Sequence, residues 1–163
     1  MATPLGTDRC TLRRRLGFTL IELAVVVSFL GVITTIAIPR WHAGVEESRV
    51  ARAIGDVRAI EMAIVTYKRS QREWPDDLAD VGYGGAQDPW GNAYVYHVTD
   101  GSKKNDEKIK SKKDKFFKPL NSDFDLYSPG PDGLTEENID HKTSLDDVVR
   151  AINGRYVGTG AGY

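Results

Sequence analysis

The sequence predicts an α+β fold in which one long N-terminal helix packs on a small antiparallel β-sheet. Three observations carry the prediction: an apolar run from Phe18 to Ile38, an apolar stripe at helical spacing from Val50 to Tyr67, and alternating, turn-rich segments after residue 86. With 163 residues the chain can hold one globular body and an appendage, hardly two domains. A net charge of -1 and a pI near 6.3 argue against a nucleic-acid binder with a basic surface. Cys10 is the single cysteine and precedes the apolar run, so the body has no internal disulfide, no catalytic thiol and no Cys-based zinc site.

The apolar run comprises 21 residues, and Glu22 is the only charged one among them. As a helix it would span roughly 30 Å, the thickness of a bilayer's hydrocarbon core. Arg9, Arg13, Arg14 and Arg15 precede it, which by the positive-inside rule puts the N-terminus in the cytoplasm and the body outside. An ordinary secretory signal peptide fits less well: the run is long, Ile36-Ala37-Ile38-Pro39 is a poor cleavage site, and an acidic residue interrupts the start. A carboxylate in hydrocarbon costs roughly 2.5 to 3.5 kcal/mol, so Glu22 needs a partner, a neutral form, or a role in tuning insertion.

Gly17 followed by Phe18-Thr19-Leu20-Ile21-Glu22, behind a basic leader and with Gly31 and Pro39 further on, resembles the cleavage signal of type IV prepilins. The resemblance implies that residues 1–17 are a leader, that a membrane peptidase cuts after Gly17, and that the new N-terminal Phe18 is N-methylated. It also implies that the Phe18 amine of one subunit meets Glu22 of a neighbour inside a helical bundle, where low dielectric strengthens the attraction. Gly31 and Pro39 would belong to the same assembly segment. Residues 18–38 are then the transmembrane or filament-core helix, and 39–163 the periplasmic body.

Beyond Pro39 the stripe Val50, Ile54, Val57, Ile60, Ile64 and Tyr67 extends the helix to about Lys68, with a bend expected near Pro39 or Gly44. Trp74-Pro75-Asp76-Asp77 ends it, and a short turn is expected at Asp77 to Asp80. Asp88-Pro89-Trp90-Gly91-Asn92 has turn chemistry and leads into a strand at 93–98 with Tyr94, Tyr96 and Val98 on one face. A second strand is expected at Phe124 to Ser128. Between them, residues 101–118 carry eight lysines against Asp106, Glu107 and Asp114, a local charge of +5. That stretch reads as a solvated extension that protects a sheet edge, or as a surface for an acidic partner.

From Asp123 to Asp147 the chain is rich in carboxylates and turn-formers, the donors calcium prefers when six to eight oxygens surround it. Equally, Asp132-Gly133 can simply make a turn, and Ser144 with Asp147 can cap a short helix. No EF-hand pattern is present.

Asp88-Pro89-Trp90-Gly91-Asn92-x-Tyr94 followed by Asp125-Leu126-Tyr127-Ser128-x-Gly130-x-Asp132-Gly133 resembles the G-type major pseudopilins of type II secretion systems. The resemblance implies a pilin-like fold with a C-terminal calcium loop, its ligands the Pro129 carbonyl and Asp132, then Asp146 or Asp147, with Asp125 and Asp140 weaker candidates. The loop departs from the usual pattern after Gly133, where Leu134-Thr135-Glu136-Glu137-Asn138-Ile139-Asp140 replaces a glycine- and glutamate-rich turn. The resemblance further implies an inner-membrane subunit that homopolymerises into a periplasmic pseudopilus, which pushes protein substrates across the outer membrane. Its partners would be minor pseudopilins, an inner-membrane assembly platform with a cytoplasmic ATPase, a prepilin peptidase and methyltransferase, and an outer-membrane secretin; no nucleic acid is expected. Two alternatives are a subunit of a surface type IV pilus and a membrane-tethered periplasmic binding module that never polymerises. His42, His97 and His141 have no metal or catalytic spacing, and no Ser-His-Asp order, P-loop or dinucleotide fingerprint occurs, so no enzymatic activity is expected.

Overall fold

The computed structural model describes residues 17–101 and 111–163, and leaves the side chains of 36–43 outside that description. Residues 1–16 of the expected leader 1–17, most of the lysine-rich stretch, and the side chains of Pro39, Trp41 and His42 therefore lie outside the described residues. Helix α1 runs from Leu20 to Gln71, close to the expected span. It stops because Arg72 turns to the left-handed region at φ 65° while its N–H still bonds the Lys68 carbonyl. A 3₁₀ turn at Ala79–Val81 stands where a short turn was expected.

Four strands follow, β1 (Val95–Val98), β2 (Phe124–Ser128), β3 (Val148–Ala151) and β4 (Tyr156–Thr159). They form one antiparallel sheet in the order β1-β2-β3-β4. The first two match the sequence-predicted strands. The segment after Ser144 does not begin a capped helix: a 3₁₀ turn covers Lys142–Ser144, its first residue preceded by His141 as cap, and Val148–Ala151 is a strand. Consecutive β-branched residues at Val148 and Val149 suit a strand buried on both faces, and all four β3 residues are buried.

The chain divides into two compact units, Met1–His42 and Ala43–Tyr163. In the second, Ala53, Val57, Ile60 and Ile64 of α1 are fully buried against Tyr94, Phe124, Leu126 and Val148. Burying each such aliphatic side chain contributes roughly 1.5 to 3 kcal/mol. Ala53 belongs to the buried stripe, whereas Tyr67 stays outside the core cluster. The opposite sheet face has its own cluster, Leu120, Tyr127, Ile139, Val149 and Ala151. Tyr127, Val149 and Ala151 supply it from the strands, and Leu120 and Ile139 from loops whose place the sequence pattern did not predict.

Candidate functional site

The N-terminal unit starts with an exposed, apolar helix. Phe18 is 90 % exposed, and Leu20, Ile21, Leu23, Val25, Val26, Val27, Phe29, Leu30, Val32 and Ile33 are all exposed. A side chain added at Gly31 would meet nothing within 4 Å, so that position leaves a flat patch on the helix surface. Glu22 is not idle in the single chain. Its Oε2 accepts from the Thr19 N–H and hydroxyl, each at 2.9 Å, and the Glu22 N–H donates to Thr19 Oγ1 at 3.2 Å. This is a reciprocal capping box in the sequence Thr-x-x-Glu, which satisfies two orphan N–H groups at the helix start. The hydroxyls of Ser28, Thr34 and Thr35 donate back to carbonyls of Ala24, Leu30 and Gly31. Among the described residues no helix is long and apolar enough to cross a membrane. The described side chains of the predicted span stop at Thr35, short of the roughly 20 residues a span needs.

In the body, the Asp-Pro-Trp-Gly-Asn block turns out to be a clamp. Asp88 Oδ1 accepts from the Trp90 and Asn92 N–H groups, while its Oδ2 accepts from the Ser128 hydroxyl at 2.6 Å. The Trp90 indole donates to Glu46 of α1 at 2.7 Å, and the Asn92 amide donates to the Gly130 carbonyl at 2.7 Å. One turn thus ties the helix to the 128–130 corner that was expected to hold calcium.

The expected ligands occupy different settings. Among the described residues no group of three or more His, Cys, Asp or Glu side chains could hold a metal ion. Pro129 is buried, whereas Asp132 is exposed and bonds the Leu134 N–H through Oδ1 at 2.8 Å. Asp146 lies beside the corner: a Cβ at Gly130, whose φ is 70°, would stand 2.5 Å from the Asp146 carbonyl oxygen. Asp147, one residue on and immediately before β3, has different partners. Its carboxylate is fully buried and bonds Lys112 and Thr135. Asp140 is exposed on the loop surface. Asp125 is also buried, and accepts from the Lys112 N–H at 2.9 Å and the Asn121 amide at 2.8 Å, a role within the sheet.

Burial pushes the Asp125 carboxyl up to about 6, against the lowering effect of the Asn121 and Lys112 bonds. It raises Asp147 as well, with the Lys112 ammonium and the Thr135 hydroxyl pulling the other way. His97, buried in β1 opposite Asp125, is lowered by the same loss of solvent. For Arg150, burial alone would lower the value, but bonds to Asp123 and Glu61 more than offset it and the net direction is up. His141, exposed, accepts from the Thr143 N–H and caps a short turn.

Two residues that the sequence left anonymous are prominent here. Lys112 was one of eight lysines in a stretch read as solvated, yet its side chain is 2 % exposed. Lys113 also joins the fold, pairing with Glu137 and bridging to Pro119 and Asn138. Of the groups around the Lys112 tip, Asp147 alone carries a charge that a buried cation offsets.

Comparison with known proteins gives a consistent answer. The chain is 30 % identical to the type II secretion system core protein G of Pseudomonas aeruginosa over 142 residues, 74 % of this chain and 87 % of the relative. It is 29 % identical to the Escherichia coli protein of the same name over 154 residues, 80 % and 92 % of the two chains. A fimbrial protein of Neisseria meningitidis is 27 % identical over 161 residues, 88 % of each chain. No protein-family model matches the chain, and no solved structure matches it. A pilin-like class of subunit is what the helix, the sheet and these relatives define together. Within that class, the chain belongs to the type II secretion system core protein G family.

Proposed function

We infer that the protein is the structural subunit of a type II secretion pseudopilus, a filament that moves proteins across the outer membrane. The observation that carries this reading is the 30 % identity to a secretion core protein G over 87 % of its length. The exposed apolar helix surface supports it, since such a surface needs lipid before assembly and neighbouring helices after it.

In this reading residues 1–17 are removed after Gly17, Phe18 becomes the methylated N-terminus, and 18–38 sit in the inner membrane with the body in the periplasm. The freed Phe18 amine then competes with the Thr19 N–H for the Glu22 carboxylate of an adjacent subunit. An ammonium-type donor offers a charge-assisted bond roughly twice as strong as a neutral one. Lateral pairing of this kind fixes axial register between subunits while the apolar residues supply area. The work is mechanical rather than catalytic, and the ATPase, assembly platform, minor pseudopilins, peptidase and secretin are its partners.

The fimbrial relative favours one second reading, a subunit of a surface type IV pilus. Deleting the gene and comparing the extracellular proteome with surface motility separates the two. Lost secretion with intact motility supports the pseudopilus; intact secretion with lost motility overturns it.

A further inference from the structure

On the sheet face turned away from α1, the Lys112 ammonium sits inside a shell of oxygens drawn from the C-terminal loop. Nζ lies 2.5 Å from Asp147 Oδ2, 2.7 Å from the Glu136 carbonyl, 3.3 Å from Ser144 Oγ, and also within bonding distance of Thr135 Oγ1. The ring of Tyr127 closes one side, its centroid 4.7 Å from Nζ. The shell is bonded within itself. The Thr135 hydroxyl donates to Asp147, the Glu136 N–H donates to Ser144 Oγ, and Ser144 Oγ donates to the Glu136 carbonyl.

The backbone of Lys112 is anchored as firmly as its tip. Its N–H donates to Asp125, its carbonyl accepts from the Leu120 N–H, and the next residue exchanges backbone bonds with Glu137 and Ile139. A carboxylate, two hydroxyls and a carbonyl are the oxygen types that a hard divalent cation selects. Here the ammonium already neutralises the one carboxylate, and its stem fills the path to it. A divalent ion beside Lys112 would face a like charge at bonding distance in a buried setting, where repulsion is weakly screened. Asp147 Oδ1 has no partner among the described residues, but one spare oxygen is far from the six to eight that calcium requires.

We propose that Lys112 is the resident cation of this site, so that an internal ammonium holds the C-terminal loop and the fold requires no calcium. The loop from Thr135 to Asp147 is then stapled to the segment at 111–114 by a covalently tethered charge, which cannot dissociate or be chelated. The proposal goes beyond the filament reading and does not depend on it, because its readouts are metal content and melting rather than secretion.

The test uses the full chain in detergent micelles, melted with excess chelator and with millimolar calcium, alongside elemental analysis. Equal melting temperatures and less than stoichiometric calcium are expected. A melt lowered by chelator, or one calcium per chain, overturns the proposal. Lys112→Met should lower the melting temperature by roughly 10 °C, since it leaves Asp147 buried without its partner. The double change Lys112→Met with Asp147→Leu should recover much of that loss, and a double variant no more stable than Lys112→Met alone also overturns the assignment.

Discussion

Arg150 of β3 and Glu61 of α1 meet at 2.7 Å across the interface between helix and sheet. The guanidinium also grips both oxygens of Asp123, bonds the Phe124 carbonyl, and lies 3.9 Å above the Phe124 ring. A single residue therefore ties the helix, the entry to β2 and the third strand. Its planar fork suits two carboxylates and a ring face at once, a geometry that lysine cannot copy.

Arg150→Ala should destabilise the body by about 3 kcal/mol, near the low end for broken buried pairs because Glu61 and Asp123 are 15 % and 25 % exposed. Urea unfolding of the full chain measures this. Arg150→Lys should lose most of the same amount, and a loss below about 0.5 kcal/mol would mean that packing on Phe124, rather than the fork, sets the interface.

The capping box at the start of α1 and the assembly role proposed for Glu22 are separable. Thr19→Ala removes the hydroxyl cap and should weaken the helix start by about 1 kcal/mol while leaving filaments intact. Glu22→Ala should abolish them, as read from cross-linked ladders of the membrane-extracted protein. Equal loss in the two variants would assign the effect to the cap instead of to a bond between subunits.

Asp125 makes stability depend on pH in a defined direction. Burial lifts its carboxyl from 3.8 to about 6, so the folded chain holds a proton that the unfolded chain releases. The stability this supplies is complete below pH 3.8 and is lost as the pH rises through about 6. Relative to Asp125→Asn, the wild type should lose on the order of 2 to 3 kcal/mol between pH 4 and 7.5, seen by chemical unfolding at each pH. The buried His97 acts in the opposite sense, losing its contribution as the pH falls below 6.5, and is shared by both proteins. A difference that is flat with pH would remove Asp125 as the titrating group.

Gly130 tests the corner next to Asp146. With φ at 70° and the Asp146 carbonyl oxygen 2.5 Å from where a Cβ would stand, Gly130→Ala must move backbone against backbone. A loss of about 2 to 3 kcal/mol is expected, while Gly31→Ala, in mid-helix with open space around it, should not lower the melt of the single chain. A neutral Gly130→Ala would show that the corner relaxes freely.

Local pattern made part of this molecule legible from sequence. The stripe Val57, Ile60 and Ile64 and the alternation in Tyr94 to Val98 are set by spacing alone, so the helix and β1 could be placed before any tertiary contact was known. β3 escaped because Ser144 and Asp147 have the spacing of a helix cap, while their hydroxyl and carboxylate serve a lysine 32 and 35 residues away. Lys112 escaped for the same reason: nothing local distinguishes it from its neighbours, and its burial is decided by oxygens on a distant loop. Asp146 and Asp147 were interchangeable as candidate ligands until tertiary contacts separated them, Asp146 beside Gly130 and Asp147 on Lys112.

The inward-turned hydroxyls of Ser28, Thr34 and Thr35 have a mechanical consequence. A rod whose polar teeth are folded into its own backbone offers no ratchet to the rods beside it. In the proposed pseudopilus, polar contact between neighbouring helices would then fall to the tip, where Glu22 bonds Thr19 in the single chain.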